Sequence, residues 1–186
     1  MSCSTPLLAD PARRALLGLA ACGMAGLWPS MAWANHPSLP NGIESGSATL
    51  RFLGLQIYNA RLWTPSDFDP SRLGEQPLVL ELEYLRSFKG SAIAERSITE
   101  MRRSGSFSED QARRWNAEMQ RVFPDVRSGD RLTGIHRPGQ GARFLFNDRP
   151  SGDIDDPAFS RLFFSIWLGP ETSEPGMRRQ LLARWL

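Results

Sequence analysis

The stretch FSRLFFSIWLGPETSEPGMRRQLL, Phe159 to Leu182, decides the fold. Phe159, Leu162, Phe163, Ile166 and Trp167 recur at helical spacing and form one broad apolar face. Asp156 stands where an N-cap belongs, and Pro157 suits the first helical turn, where its missing N–H costs nothing. Gly169 and Pro170 stop the helix. Ser173 is positioned to cap a second helix expected over Glu174 to Leu186. A helix with this much aromatic surface needs a large apolar partner, and the rest of the chain must supply it.

Working outward, the partner reads as a sheet. Leu78, Leu80, Leu82 and Tyr84 alternate with Val79, Glu81 and Glu83, the mark of a strand with one covered face. Ser47 to Trp63 reads as two strands or one long bent strand, with Gly54 a bulge or bend, and Tyr58, Ala60 and Leu62 on one face. Thr64 to Gln76 is loop-like. Ser91 to Arg103 carries a helical stripe of Ala94, Ile98 and Met101. A further helix opens at Ser108, which has capping-box spacing to Gln111, and runs to about Phe123. Arg131 to Arg137 and Ala142 to Asn147 form a hairpin across Gly139-Gln140-Gly141, and Asp148 to Asp155 reads as a turn-rich link. Strands, two helices, a hairpin and two more helices make an α+β order, expected as a curved antiparallel sheet with the helices on one face.

The N-terminal part has the features of a targeting segment. Arg13 and Arg14 precede an apolar run, Ala15 to Trp28, and Ala32-Trp33-Ala34 places small residues where a signal peptidase reads. The expected organisation is a signal peptide over 1–34, a flexible lead over 35–46 and a domain over 47–186, with a periplasmic or secreted destination. The arginine pair resembles a twin-arginine signal, and Leu19-Ala20-Ala21-Cys22 has the form of a lipoprotein box, so the export route stays open. Cys3 and Cys22 are the only cysteines, and both precede the expected cut. The domain therefore has neither disulfide nor thiolate chemistry and must rely on its core. The net charge of +2 argues against nucleic acid and polybasic membrane roles, and no membrane span is expected in the mature chain.

The residues that might carry chemistry have structural explanations. His36 lies in the lead and His136 in a strand, neither with a second ligand at metal spacing. Asp153, Asp155 and Asp156 precede a helix, where they can cap it and meet its dipole; a metal use is the alternative. Arg96 and Glu100, four apart, read as a surface pair. There is no phosphate loop and no nucleophile elbow. No metal and no cofactor is expected.

Ile166-Trp167-Leu168-Gly169, then Thr172-Ser-x-Pro175 and a basic final helix, resembles the chalcone isomerase-like family in its bacterial exported branch. The second matching element is Gly54-x-x-Ile-Tyr-Asn-Ala-x-Leu-Trp63, and the resemblance runs from about Gly46 onward. It implies an open-faced β-sandwich of one sheet and one helical layer. In the plant enzymes, which cyclise a chalcone to a flavanone, an arginine, a threonine, a tyrosine and an asparagine do the work. The arginine's place falls in Gly42 to Gly46, which holds none. The threonine's falls at about Tyr58, and the helix entrance Phe88-Lys89-Gly90-Ser91 has no tyrosine. Ser97 is the nearest polar inward residue to the asparagine's place. Arg51 lies one step of strand away, on the opposite alternation. No catalytic residue is therefore assigned. A phenolate drawn into an apolar cleft needs a fixed cation to offset its lost hydration.

Tyr58, Ser97, Phe144 and Trp167 are the expected lining of a slot between sheet and helices, weighed against a plain core role. Relatives in the fold bind fatty acids, so the resemblance implies a non-catalytic binder of a small hydrophobic ligand. The alternatives are an isomerase or lyase acting on an unsaturated carbonyl compound, and a structural or partner-binding envelope protein whose partner the sequence does not name.

Overall fold

The computed structural model describes residues 36–186; the expected signal peptide lies outside them. Six strands form one antiparallel sheet in the order of the chain: β1 (Ile43–Phe52), β2 (Leu55–Thr64), β3 (Leu78–Tyr84), β4 (Arg131–Arg137), β5 (Gly141–Phe146) and β6 (Arg149–Ile154). Between β3 and β4 the chain inserts α1 (Gly90–Ser104) and α2 (Glu109–Val122), and after β6 it adds α3 (Pro157–Leu168) and α4 (Pro175–Leu181). This is the expected α+β architecture, an open curved sheet with a helical layer. Each strand pairs with its sequence neighbour, so no connection has to cross the sheet.

The core lies between the sheet and α3. Tyr58, Ala60 and Leu62 of β2 continue the face made by Leu78, Leu80, Leu82 and Tyr84 of β3. Phe159, Phe163, Phe164 and Trp167 of α3 pack down on it. Phe144 of β5 meets Phe123 and Phe163 edge to face, with centroids 4.9 and 5.3 Å away. Gly134 of β4 opens the space that Phe164 fills, since a Cβ there would lie 3.1 Å from its ring. Fully burying a phenyl ring stabilises by about 2–3 kcal/mol, so this ridge is a large local contribution to the fold.

The helix termini obey local rules. Asp156 accepts from the amides of Ala158 and Phe159 and from the indole of Trp115 at 2.8 Å, so one carboxylate caps α3 and ties it to α2. Burial pushes that carboxyl up, but hydrogen bonds from Trp115, the two amides and Arg114 outweigh it and hold it below the usual range. Ser108 and Gln111 form the full capping box of α2. Gly90, the first residue of α1, has no local cap; its amide donates to Asp125, 35 residues on, which also pairs with Lys89.

Several boundaries differ from the sequence reading. The turn-rich link contains β6. Pro150 and Gly152 hide its pattern, yet an edge strand tolerates both, and the register shift opposite Phe144/Leu145 absorbs them. β1 begins at Ile43, inside the stretch read as a lead, and His36 packs on Trp63 with ring centroids 4.8 Å apart. Of the bulge or bend read at Gly54, the structure has the bend: Leu53 and Gly54 form the two-residue turn of the β1–β2 hairpin, both at positive φ (49° and 78°). The loop Thr64 to Gln76 holds a short 3-10 helix, Pro70–Glu75. The last helix is α4, which stops at Leu181 rather than Leu186, and Thr172, not Ser173, bonds the amide of Glu174. Asp153 and Asp155 do not cap α3; they pair with Arg137, and Asp153 also with Arg143.

His136 is buried. The carbonyl of Gly74, 3.2 Å from Nε2, can only accept, so Nε2 carries the proton and Nδ1 accepts from the Ser160 hydroxyl at 2.6 Å. Burial lowers its pKa, with the Gly74 bond opposing in part. The unfolded chain therefore takes up a proton near pH 6.5 that the folded one refuses, and stability falls as pH drops through that window. Thermal melts from pH 7.5 to 5.5 are expected to show a falling midpoint whose slope flattens in His136→Gln; His36, shifted the same way, leaves a residual slope. The carboxylates held low, such as Asp125 and Asp153, lose their contribution only below about pH 4. A second expectation concerns Gly46. An added Cβ would lie 2.1 Å from the carbonyl oxygen of Gln180 in α4, so Gly46→Ala should cost about 2 kcal/mol or more in denaturant unfolding.

Candidate functional site

Where the aromatic ridge of α3 ends, the layers separate. A cavity of about 380 Å³ opens between the β1–β4 half of the sheet, α1, the end of α3 and Ser173-Glu174. That is within the range of small-molecule sites. Its wall is mostly apolar: Leu50 and Ile57 from the hairpin, Leu82 and Leu132 from the sheet, Ile93 from α1, and Ile166 from α3.

Few polar groups face this space. Tyr58 and Tyr84 are paired across β2 and β3, with ring centroids 5.8 Å apart. The Trp167 indole donates to the Tyr58 hydroxyl at 2.9 Å. Tyr58 therefore accepts from the protein and keeps its own proton to donate. The Tyr84 hydroxyl has no hydrogen-bond partner among the described residues. Burial pushes both phenols well above their ordinary pKa. For Tyr58 the Trp167 bond opposes that shift, and for Tyr84 the neighbouring Tyr58 adds to it. Both stay neutral O–H donors at any physiological pH.

Arg96 and Glu100 also line the cavity, 2.6 Å apart. The pair read as superficial is buried at one end: the Glu100 side chain is 8 % exposed against 68 % for Arg96. Its second oxygen, Oε2, has no hydrogen bond and only a long contact of 3.8 Å to Arg103. The guanidinium of Arg96 sits at the mouth, committed to a carboxylate, rather than deep inside.

Of the four residues expected to line the slot, Tyr58, Ser97 and Trp167 meet at this cavity. Ser97 is buried, and its hydroxyl bonds the Ile93 carbonyl of its own helix at 2.8 Å. Phe144 does not line it. Phe144 belongs to the packed ring cluster, because α3 covers β5 directly and leaves the gap on the other side of Phe163. Tyr84, Arg96 and Glu100 were missed. Tyr84 was legible as the polar-tipped end of an otherwise aliphatic strand face, whereas Glu100's burial depends on how α1 leans on α3. The stretch where the plant enzymes' arginine would fall, Gly42 to Gly46, is closed to a side chain at Gly46. Gly46 lies against the carbonyls of Gln180 and Leu181, and Ser45 donates to Leu181 at 3.0 Å, so α4 occupies the space a longer side chain would need. Arg51 is exposed on the hairpin and is not part of the wall.

No group of three or more His, Cys, Asp or Glu side chains among the described residues is placed to hold a metal. The site has neutral donors, an apolar wall and one neutralised carboxylate. Such a lining can receive an apolar molecule and donate hydrogen bonds to an oxygen on it.

Known proteins place this geometry. A protein of Haemophilus influenzae described only as uncharacterized is 31 % identical over 139 residues, which cover 75 % of this chain and 67 % of that one. A solved structure, the fatty-acid binding protein of Arabidopsis thaliana, superposes with a TM-score of 0.57 at 11 % identity, covering 76 % of this chain and 87 % of that one; the likeness is one of fold. The family model described as chalcone isomerase-like matches residues 46–183. By that match, which spans all but the first three residues of the sheet, both helical pairs and the whole cavity wall, the chain belongs to the chalcone isomerase-like family.

Proposed function

We propose that this protein binds, without chemical change, a small hydrophobic ligand with a carbonyl or carboxyl end, a fatty acid or similar molecule. The observation that carries the reading is the apolar cavity whose free inner hydrogen-bond donors are the two neutral phenols of Tyr58 and Tyr84. An apolar body gains by leaving water, and a ligand oxygen meets O–H donors that no protein acceptor occupies. A structural neighbour known as a fatty-acid binding protein supports the same use of the fold. The chain's Arg13-Arg14 pair, its apolar run and Ala32-Trp33-Ala34 support placing this activity outside the cytoplasm, in the periplasm or beyond.

One observation favours a second reading, an isomerase acting on an unsaturated carbonyl compound: Glu100 and Arg96 stand on the same wall as the two phenols. The binder is preferred because the guanidinium is at the mouth and already paired, so it adds little where charge would develop. A panel of hydroxychalcones followed by absorbance should disappear no faster than in buffer; clear acceleration abolished by Glu100→Gln would establish the second reading instead.

The binding test is titration calorimetry and native mass spectrometry with dodecanoate and hexadecanoate. One molecule should be retained per chain, and Ile93→Trp, which fills the cavity, should weaken uptake about tenfold or more at an unchanged melting midpoint. No uptake by the parent chain would overturn the proposal. Tyr58→Phe strands the Trp167 N–H and should cost about 1–3 kcal/mol. A double-mutant cycle with Trp167→Phe should return a coupling of about 1 kcal/mol.

A further inference from the structure

The tip of the β1–β2 hairpin is built against the interests of a protein surrounded by water. Phe52, Leu53 and Leu55 are 60 %, 86 % and 49 % exposed, three of the four large apolar side chains so exposed among the described residues. They are consecutive around one turn, so they make a patch rather than a scatter. Leu53 also sits at φ 49°, a left-handed conformation that Asn or Gly adopts readily and leucine does not. The turn thus carries both conformational strain and exposed hydrocarbon.

The surroundings identify the missing partner. Arg51 precedes the patch, and Arg86 stands next to Leu85, whose amide bonds the Ile57 carbonyl close to the hairpin's tip. Neither arginine makes an ion pair among the described residues. Arg96, paired with Glu100, stands at the cavity mouth, where Glu174 is the exposed carboxylate among the lining residues. An apolar wedge flanked by the two unpaired arginines, Arg51 and Arg86, matches an anionic lipid surface, where the rings and aliphatics enter the acyl boundary and the guanidiniums meet phosphates. The patch is also continuous with the cavity, because Phe52 and Ile57 belong to its wall.

We propose that the Phe52–Leu55 turn is a docking tip that seats the protein on an anionic bilayer surface with the cavity mouth turned to the lipid. Docking stands on the hairpin alone. Its purpose, exchange of a hydrophobic ligand between bilayer and cavity without passage through water, rests on the binding reading above.

The test compares the full chain with Leu53→Asn and with the triple variant Phe52→Ser/Leu53→Asn/Leu55→Thr, which share everything outside the turn. Co-sedimentation is read on vesicles of phosphatidylcholine alone and of phosphatidylcholine with a third phosphatidylglycerol. On the anionic vesicles the triple variant should lose about tenfold or more in partitioning. Arg51→Glu/Arg86→Glu should lose a similar factor there and little on the neutral ones. Leu53→Asn should raise the melting midpoint, because Asn-Gly suits the turn, while weakening vesicle binding; that opposite movement cannot come from misfolding. Equal partitioning of parent and triple variant would overturn the proposal. So would a concentration-dependent dimer of the parent that the triple variant abolishes, since the patch would then bind a second copy. Dodecanoate uptake in vesicle-free buffer is measured in parallel: its absence removes the ligand reading and leaves docking to stand or fall by sedimentation.

Discussion

Burial of the aromatic ridge on α3 is the constraint on which the rest depends. Phe159, Phe163 and Phe164 have essentially no exposed surface, and Trp167 has little. A single helix can shed that much hydrocarbon only against a wide sheet face on one side and further helices on the other. The chain meets the demand with β4 and β5 beneath, α1 alongside, and Trp115 of α2 set edge-on to Phe159. Details far apart in sequence serve this contact. Gly134 is hollow where Phe164 enters, and Asp156 fixes the helix start while holding Trp115 in place. His136 locks Ser160 and Gly74 together behind the ridge.

The cavity follows from where that packing stops. The rings of Phe159 and Phe163 reach Phe144 and Phe123, but toward the α3 C-terminus the residues facing the sheet are Ile166 and Trp167, opposite two tyrosines whose tips are polar. A tyrosine hydroxyl cannot be pressed against hydrocarbon without losing its hydrogen bonds. Trp167 satisfies half of Tyr58, and the remaining O–H groups leave a zone that tight packing would penalise. A space with neutral donors on its floor and an apolar wall is therefore the low-energy outcome of these residues, more than a packing defect.

How much of this was legible in the sequence divides along physical lines. The helix 157–168 with its Asp156 cap, the Ser108–Gln111 box and the alternation of β3 are local signals, and each is present as read. β6 was hidden because Pro150 and Gly152 oppose a strand that only its position at the sheet edge permits. Phe144 was placed at the site because alternation identifies the inward face of a strand but not which element lies above it. Glu100 read as superficial because its helical neighbour Arg96 is; its burial is set by α3, some sixty residues later, and no local pattern carries that. The closure of the arginine's place belongs to the same class, since it takes α4 folding back on β1 to make Gly46 necessary.

These points bear jointly on the chemistry. An isomerase that stabilises a phenolate needs positive charge inside its apolar cleft before the substrate arrives. Here the inside offers neutral donors, and the guanidinium that lines the wall is outward and spent on Glu100. Moving charge to the rim changes what the cleft discriminates. Neutral O–H groups at depth favour an uncharged carbonyl or a protonated acid over a bare anion, because an anion would surrender its hydration for donors that carry no charge. An interior with phenol donors, and a guanidinium at its mouth already paired, is a poor seat for a reacting phenolate.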